Sequence, residues 1–191
     1  MTIKYIKRKV DIVPCGLNIG DSTGFSIMKR GEWRLIRLKL TKFKKWYKLH
    51  AIKNEEGKIV AFIVTKNNVN DSTVFQDFVN LLPRGSTLYG DRAYFSRKNY
   101  QLAKMRNIEF HSLPKANAVN KSRGCYEYKL EVSRFKKLGY KRWSEVTGYK
   151  KRFNMERVFG RLKVMFGEDL RVFTIDGIVR ALIPMITLAN I

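Results

Sequence analysis

Acidic residues are scarce in this chain. Sixteen Asp and Glu stand against 39 Lys and Arg, a formal net charge of +23 at pH 7. That imbalance points to a polyanionic partner, nucleic acid first. An anionic membrane fits less well, because the basic residues are spread along the whole chain instead of clustering beside an apolar span. Cysteine is nearly absent too: Cys15 and Cys125 form no CxxC pair, and His50 and His111 are the only histidines. So few soft ligands, so far apart in sequence, argue against a zinc site. A reduced, cytoplasmic setting suits such cysteine usage. The N-terminus shows charge but no apolar core of a signal peptide. The most apolar stretch, 178–191, is interrupted by Arg180 and Pro184 and falls short of the roughly 20 residues a membrane span requires. Internal repeats and low-complexity tracts are also lacking.

What is present suffices for one substantial domain. The chain has 191 residues, 45% of them hydrophobic, enough for a single core and too short for two comfortable ones. Residues 1–15 are basic and resemble a tail or linker remnant, leaving 16–191 as the domain. Strand patterns fall at about 16–27, 35–40, 46–52 and 58–65, the last being KIVAFIVT. Asn54-Glu-Glu-Gly57 reads as a hairpin turn. Asp71 is expected to cap a helix to Leu82, ended by Pro83-Arg-Gly85. A short buried strand, 87–90, runs into Asp91. Ser96 caps a helix to about Asn107, and a strand follows over 108–113. Helices are expected over 130–138, 149–167 and 177–191. A strand meander, then alternating helix and strand, then helices, predicts an α/β fold with helices on both faces of a mixed sheet.

The stretch Tyr149-Lys-Lys-Arg152-Phe-Asn-Met-Glu156-Arg-Val-Phe-Gly-Arg-Leu-Lys163 stands out. At about 100° per residue, Tyr149, Arg152, Glu156 and Lys163 share a narrow face of one helix. That face borders an apolar stripe of Met155, Phe159, Leu162 and Phe166. A carboxylate between two cations and a phenol, at the rim of a core, suits phosphate chemistry. A plain amphipathic helix with an i,i+4 ion pair from Glu156 to Arg152 would carry the same pattern.

The spacing Tyr-x2-Arg-x3-Glu-x6-Lys resembles the YREK motif of DDE transposases from prokaryotic insertion sequences. Two further segments support the resemblance. Gly20-Asp21-Ser22-Thr23-Gly24 is similar to the family's DSTG-like motif on the first strand, and Gly90-Asp91-Arg92-Ala93-Tyr94 to its GDxxY motif after a later strand. Lys48-Leu49-His50 resembles the family's KxH strand, where alternating basic and aromatic residues suit contact with a nucleic-acid backbone. His50 itself reads as a satisfied sheet histidine, and His111 has no partner nameable from sequence.

The resemblance implies a ribonuclease-H-like fold and a catalytic triad of Asp21, Asp91 and Glu156. Three such carboxylates can hold two Mg2+ (or Mn2+) ions about 3.5–4 Å apart. Tyr149, Arg152, Lys163 and Lys48 then become contacts to DNA phosphates. The implied activity is cleavage and strand transfer of insertion-sequence DNA, with element ends and target DNA as partners and a cytoplasmic, nucleoid-associated location. Family members carry an N-terminal domain before the first catalytic strand, and here Asp21 comes almost at once. The resemblance therefore also allows an N-terminal half encoded separately, and a homodimer. Two alternatives stay open: an inactive truncated transposase remnant, and a non-enzymatic basic nucleic-acid-binding protein whose carboxylates only form salt bridges.

Overall fold

Strand β2 (Leu17–Ile27) organises the fold, because three other strands pair with it. It lies antiparallel to β3 (Lys45–Asn54), which in turn pairs antiparallel with β4 (Ile59–Lys66). The β3–β4 connection is the expected hairpin: the Gly57 N–H donates to Asn54 O at 3.1 Å, and Gly57 adopts φ +86°, a conformation that favours glycine. On its other edge β2 pairs in parallel with β5 (Thr87–Gly90), and β5 in parallel with β6 (Glu109–Ser112). A short β7 (Asp169–Leu170) adds to the far end of β2. The computed structural model describes residues 6–9, 16–27, 45–172 and 174–191. The strand expected at 35–40 lies outside them. Residues Ile6–Lys9, within the stretch read as a basic tail, form β1 and pair antiparallel with β4. The correction has a simple cause: a four-residue edge strand needs only a backbone partner, and its basic sequence carries no alternation to reveal it. The sheet order is β1-β4-β3-β2-β5-β6, a mixed α/β sheet of the expected ribonuclease-H-like kind.

Each strand of the centre sends side chains to both faces, and each face has its own core. One face gathers Phe25, Leu49, Phe62 and Tyr89 with α4 (Asn154–Phe166) and α5 (Ile175–Ala189). The other gathers Ile52, Ile63 and Leu88 with α1 (Phe75–Leu81) and α2 (Arg97–Met105). Helix α3 (Tyr126–Val146) serves both, with Tyr128 and Val132 in one core and Trp143 in the other. It manages this through a kink at Gly139, φ 68°, close to where the periodicity ends the shorter helix expected over 130–138. The stripe Met155, Phe159 and Leu162 is buried, as the helical periodicity predicted. Among the described residues no helix is long and apolar enough to cross a membrane.

Two helix expectations change. The N-cap before α1 is Asn70, whose side chain accepts from the Ser72 N–H, and Asp71 opens a 3-10 turn, Asp71–Val74. The helix expected over 149–167 is a 3-10 turn, Tyr149–Phe153, followed by α4. The tight turn rotates Tyr149 off the α-helical face that the uniform 100° count assigns it.

Candidate active site

The β2–β5 register sets the geometry. Gly20 and Gly90 are partners in the parallel ladder, so the residues that follow, Asp21 and Asp91, emerge side by side at the carboxyl end of β5. Ligands collect at that end in open α/β sheets. Both glycines are favoured by close packing. A Cβ on Gly20 would stand 3.1 Å from the Phe78 ring, and one on Gly90 3.1 Å from Phe110 and 3.2 Å from Tyr94. The aromatic core under the two carboxylates thus presses directly on backbone.

Arg152 joins the two aspartates. Its NH1 donates to Asp21 Oδ2 at 2.8 Å, and its NH2 lies 3.3 Å from Asp91 Oδ1. Arg152 thus makes these longer-range contacts instead of the i,i+4 pair with Glu156 that a plain amphipathic helix would carry. Burial disfavours the Arg152 charge, but Tyr149, Asp21, Asp91 and Glu156 outweigh it and hold the guanidinium firmly protonated. Burial also raises the pKa of Asp21. The Ser22 N–H, which donates to Asp21 Oδ1 at 2.9 Å, and Arg152 pull it down, whereas the Asp91 and Asp71 charges push it up.

Glu156, in the first turn of α4, is exposed and faces the same cleft. Lys163, two turns further along, also lines it and pairs with Glu168 at 3.0 Å. The cleft is open and holds about 410 Å³, with Phe159 as part of its floor. The structure therefore brings Asp21, Asp91, Arg152, Glu156 and Lys163 to one cleft.

Two residues assigned to phosphate contact lie elsewhere. Tyr149 is 2% exposed, packs on Trp143 and Tyr89, and donates its hydroxyl to Gly90 O at 3.1 Å. Burial pushes its pKa up to about 12. It braces the backbone one residue before Asp91 and does not line the cleft. Lys48 spends its ammonium on Asp71 Oδ1 at 3.1 Å and Val69 O at 3.2 Å. Asp71 also accepts from Ser22 Oγ at 3.3 Å, so it ties β3 to the segment carrying Asp21. Sequence reasoning saw Asp71 only as a helix cap; its strand partners are tertiary and leave no local pattern.

The histidines separate cleanly. His50 Nε2 bonds Thr65 Oγ1 at 2.8 Å inside the sheet, but its buried Nδ1 has no hydrogen-bond partner among the described residues, so the expected satisfied histidine is only half satisfied. Burial lowers its pKa to about 4 despite Asp71 lying 3.7 Å from Nδ1. His111 has partners that the sequence alone did not name: Glu131 at Nδ1 and Glu109 at Nε2, each 3.1 Å away. Burial opposes its protonation, yet the two carboxylates raise its pKa. The i,i+2 spacing of Glu109 and His111 on one strand was the available signal.

Could these residues hold a metal? Among the described residues no three His, Cys, Asp or Glu side chains stand grouped as a cation site, so the expected triad is not assembled as a ligand set. Asp21 and Asp91 nevertheless share a single cation, the Arg152 guanidinium, through oxygen donors of the hard type that Mg2+ or Mn2+ prefers. Glu156 faces the same cleft from α4. The donor chemistry fits a divalent ion once Arg152 turns aside. A carboxylate from each of two neighbouring strands and a third from a helix across the cleft is an arrangement suited to phosphoryl transfer. In agreement, the family model described as the transposase DDE domain matches residues 17–191, and the chain belongs to that family.

Proposed function

We propose that this domain cleaves and joins DNA phosphodiester bonds in a metal-dependent way, with Asp21, Asp91 and Glu156 as its acidic residues. The observation that carries the reading is the convergence of Asp21 and Asp91 on one cation, Arg152, in a cleft that Glu156 and Lys163 complete. Asp21 and Asp91 would hold Mg2+ or Mn2+, with Glu156 closing the set. Metal bound there would lower the pKa of an attacking water or 3′-hydroxyl and stabilise the leaving oxygen. The chain's own residues do the rest. Arg152, released from the carboxylates, offers a planar fork to phosphate oxygens. Lys163 supplies a second positive charge on the same wall. The Asp71–Ser22 contact and the Tyr149–Gly90 bond keep the two strand ends from shifting while the carboxylates change partners. The +23 charge gathers DNA to the cleft without regard to sequence.

One observation favours a second reading. The Arg152 bridge is also what a domain that has lost metal binding and kept DNA binding would show. A nicking assay separates the two. Supercoiled plasmid with Mg2+ or Mn2+ should be nicked by the wild type and left intact by Asp91→Asn and Glu156→Gln, with DNA affinity retained in all three. Retained DNA binding with no metal-dependent nicking by the wild type would leave the inactive remnant standing.

A further inference from the structure

A second cavity, of about 300 Å³, opens between the start of α2 and the loop that links β6 to α3. Its charged lining is of one sign: Arg97, Lys115 and Arg123, with no carboxylate on its walls. None of the three has an acidic partner among the described residues, and all three line the one cavity. Three cations left together without counter-charge repel one another, and an anion in the pocket would relieve that cost.

The walls are held in place. The Arg97 guanidinium lies 4.1 Å over the Tyr128 ring and donates from NH2 to Lys121 O at 3.1 Å, while its buried Nε has no acceptor. Gln101 Nε2 donates to Gly124 O at 3.3 Å. Backbone turns close within the loop from Ala118 to Lys115, Lys121 to Val119 and Cys125 to Ser122. Arg123 sits at φ 42°, a left-handed conformation that costs a non-glycine residue energy and tends to occur where a loop is built for binding. The Ser96 side chain caps α2 through the Asn99 N–H, and the Arg97 and Lys98 N–H groups, lacking intrahelical acceptors, add to the positive end.

The position matters as much as the charge. β5 and β6 run parallel, so the loops that follow them emerge at the same edge of the sheet as Asp91. Ser96 is five residues after Asp91 in the chain, which limits their separation to about 18 Å, roughly five base-pair rises of B-DNA.

We propose that this pocket is a phosphate subsite, in which Arg97, Lys115 and Arg123 grip a backbone phosphate of the DNA beyond the one at the cleft. The inference rests on the reading of DNA as substrate. Its test measures binding, not cleavage. Fluorescence anisotropy with a duplex oligonucleotide, over a range of salt, compares wild type, Lys115→Ala/Arg123→Ala and a control pair on an exposed stretch of α3, Lys136→Ala/Lys137→Ala, which removes the same charge. The pocket pair should lower the slope of log K against log salt by about 0.9 for each phosphate that is no longer neutralised, and the control pair should leave it unchanged. In the wild-type protein, duplex DNA should also protect Lys115 from acetylation more than Lys136, a readout that needs no variant. Equal slopes for the two pairs, or equal protection of the two lysines, would overturn the subsite alone. A wild type without salt-dependent DNA binding would sink the DNA reading and the subsite with it.

Discussion

Replacing Arg152 by alanine tests whether its guanidinium stands in for a metal. The substitution removes the 2.8 Å contact to Asp21 and the 3.3 Å contact to Asp91, leaving two carboxylates side by side. Breaking a buried pair costs about 3–5 kcal/mol, and an exposed one about 0–1. Asp21 and Arg152 are 18% and 14% exposed but Asp91 is 41% exposed, so the Asp21 contact dominates and a loss of about 2 kcal/mol is expected. For a domain of this size that lowers Tm by about 4–8 °C without metal. Metal binding should respond in the opposite sense. In the wild type an incoming Mn2+ or Mg2+ has to displace the guanidinium; in the variant it does not. A competitor worth about 2 kcal/mol corresponds to roughly a 30-fold difference in Kd. Arg152→Ala should therefore bind Mn2+ more tightly by titration calorimetry and gain more Tm on its addition. Equal or weaker Mn2+ binding by the variant would refute the idea that guanidinium and metal share a place.

Three further outcomes follow from the same geometry. Tyr149→Phe should cost about 1 kcal/mol by removing the bond to Gly90 O, seen as a small drop in Tm, with the affinity for duplex DNA at fixed salt unchanged; a clear loss of DNA affinity would return Tyr149 to the phosphate contacts. Gly90→Ala forces a methyl against Phe110 and Tyr94 and should lower the urea midpoint by an amount equivalent to about 1–3 kcal/mol; an unchanged midpoint would mean the aromatic packing beneath Asp91 yields without cost. The histidines should titrate on opposite sides of the free value of about 6.5, His50 near 4 and His111 above it. For His50 the stability gained by staying neutral is present above about 6.5, is lost as pH falls toward 4, and amounts to on the order of 3 kcal/mol. For His111 the contribution is present below about 6.5 and fades as pH rises through its folded value. Imidazole NMR shifts that coincide for the two rings would contradict both environments.

Where local pattern and tertiary packing agree, the fold was legible. KIVAFIVT is β4 within a residue or two, and the short apolar run before Asp91 is β5. Ser96 caps its helix as its position suggested. The site was legible to the extent that strand-end aspartates and helix periodicity are local. Glu156 and Lys163 face the cleft together because α4 is regular from Asn154 onward. Tyr149 was misplaced because no residue in 149–153 signals a 3-10 turn, which instead lets the Tyr149 ring wedge between Trp143 and Tyr89. The Arg152 bridge was missed for a different reason. Its partners are 131 and 61 residues away in the chain, and only the β2–β5 register puts them within reach. The Asp71 contacts to Lys48 and Ser22 were hidden in the same way.

The central claim is that Asp21 and Asp91 are two walls of one metal site. Crystals soaked in Mn2+ and measured for anomalous scattering test it most directly. A peak against both carboxylates, with Arg152 turned away from them, is the predicted result. No peak at saturating Mn2+, with Arg152 still bridging Asp21 and Asp91, would contradict it.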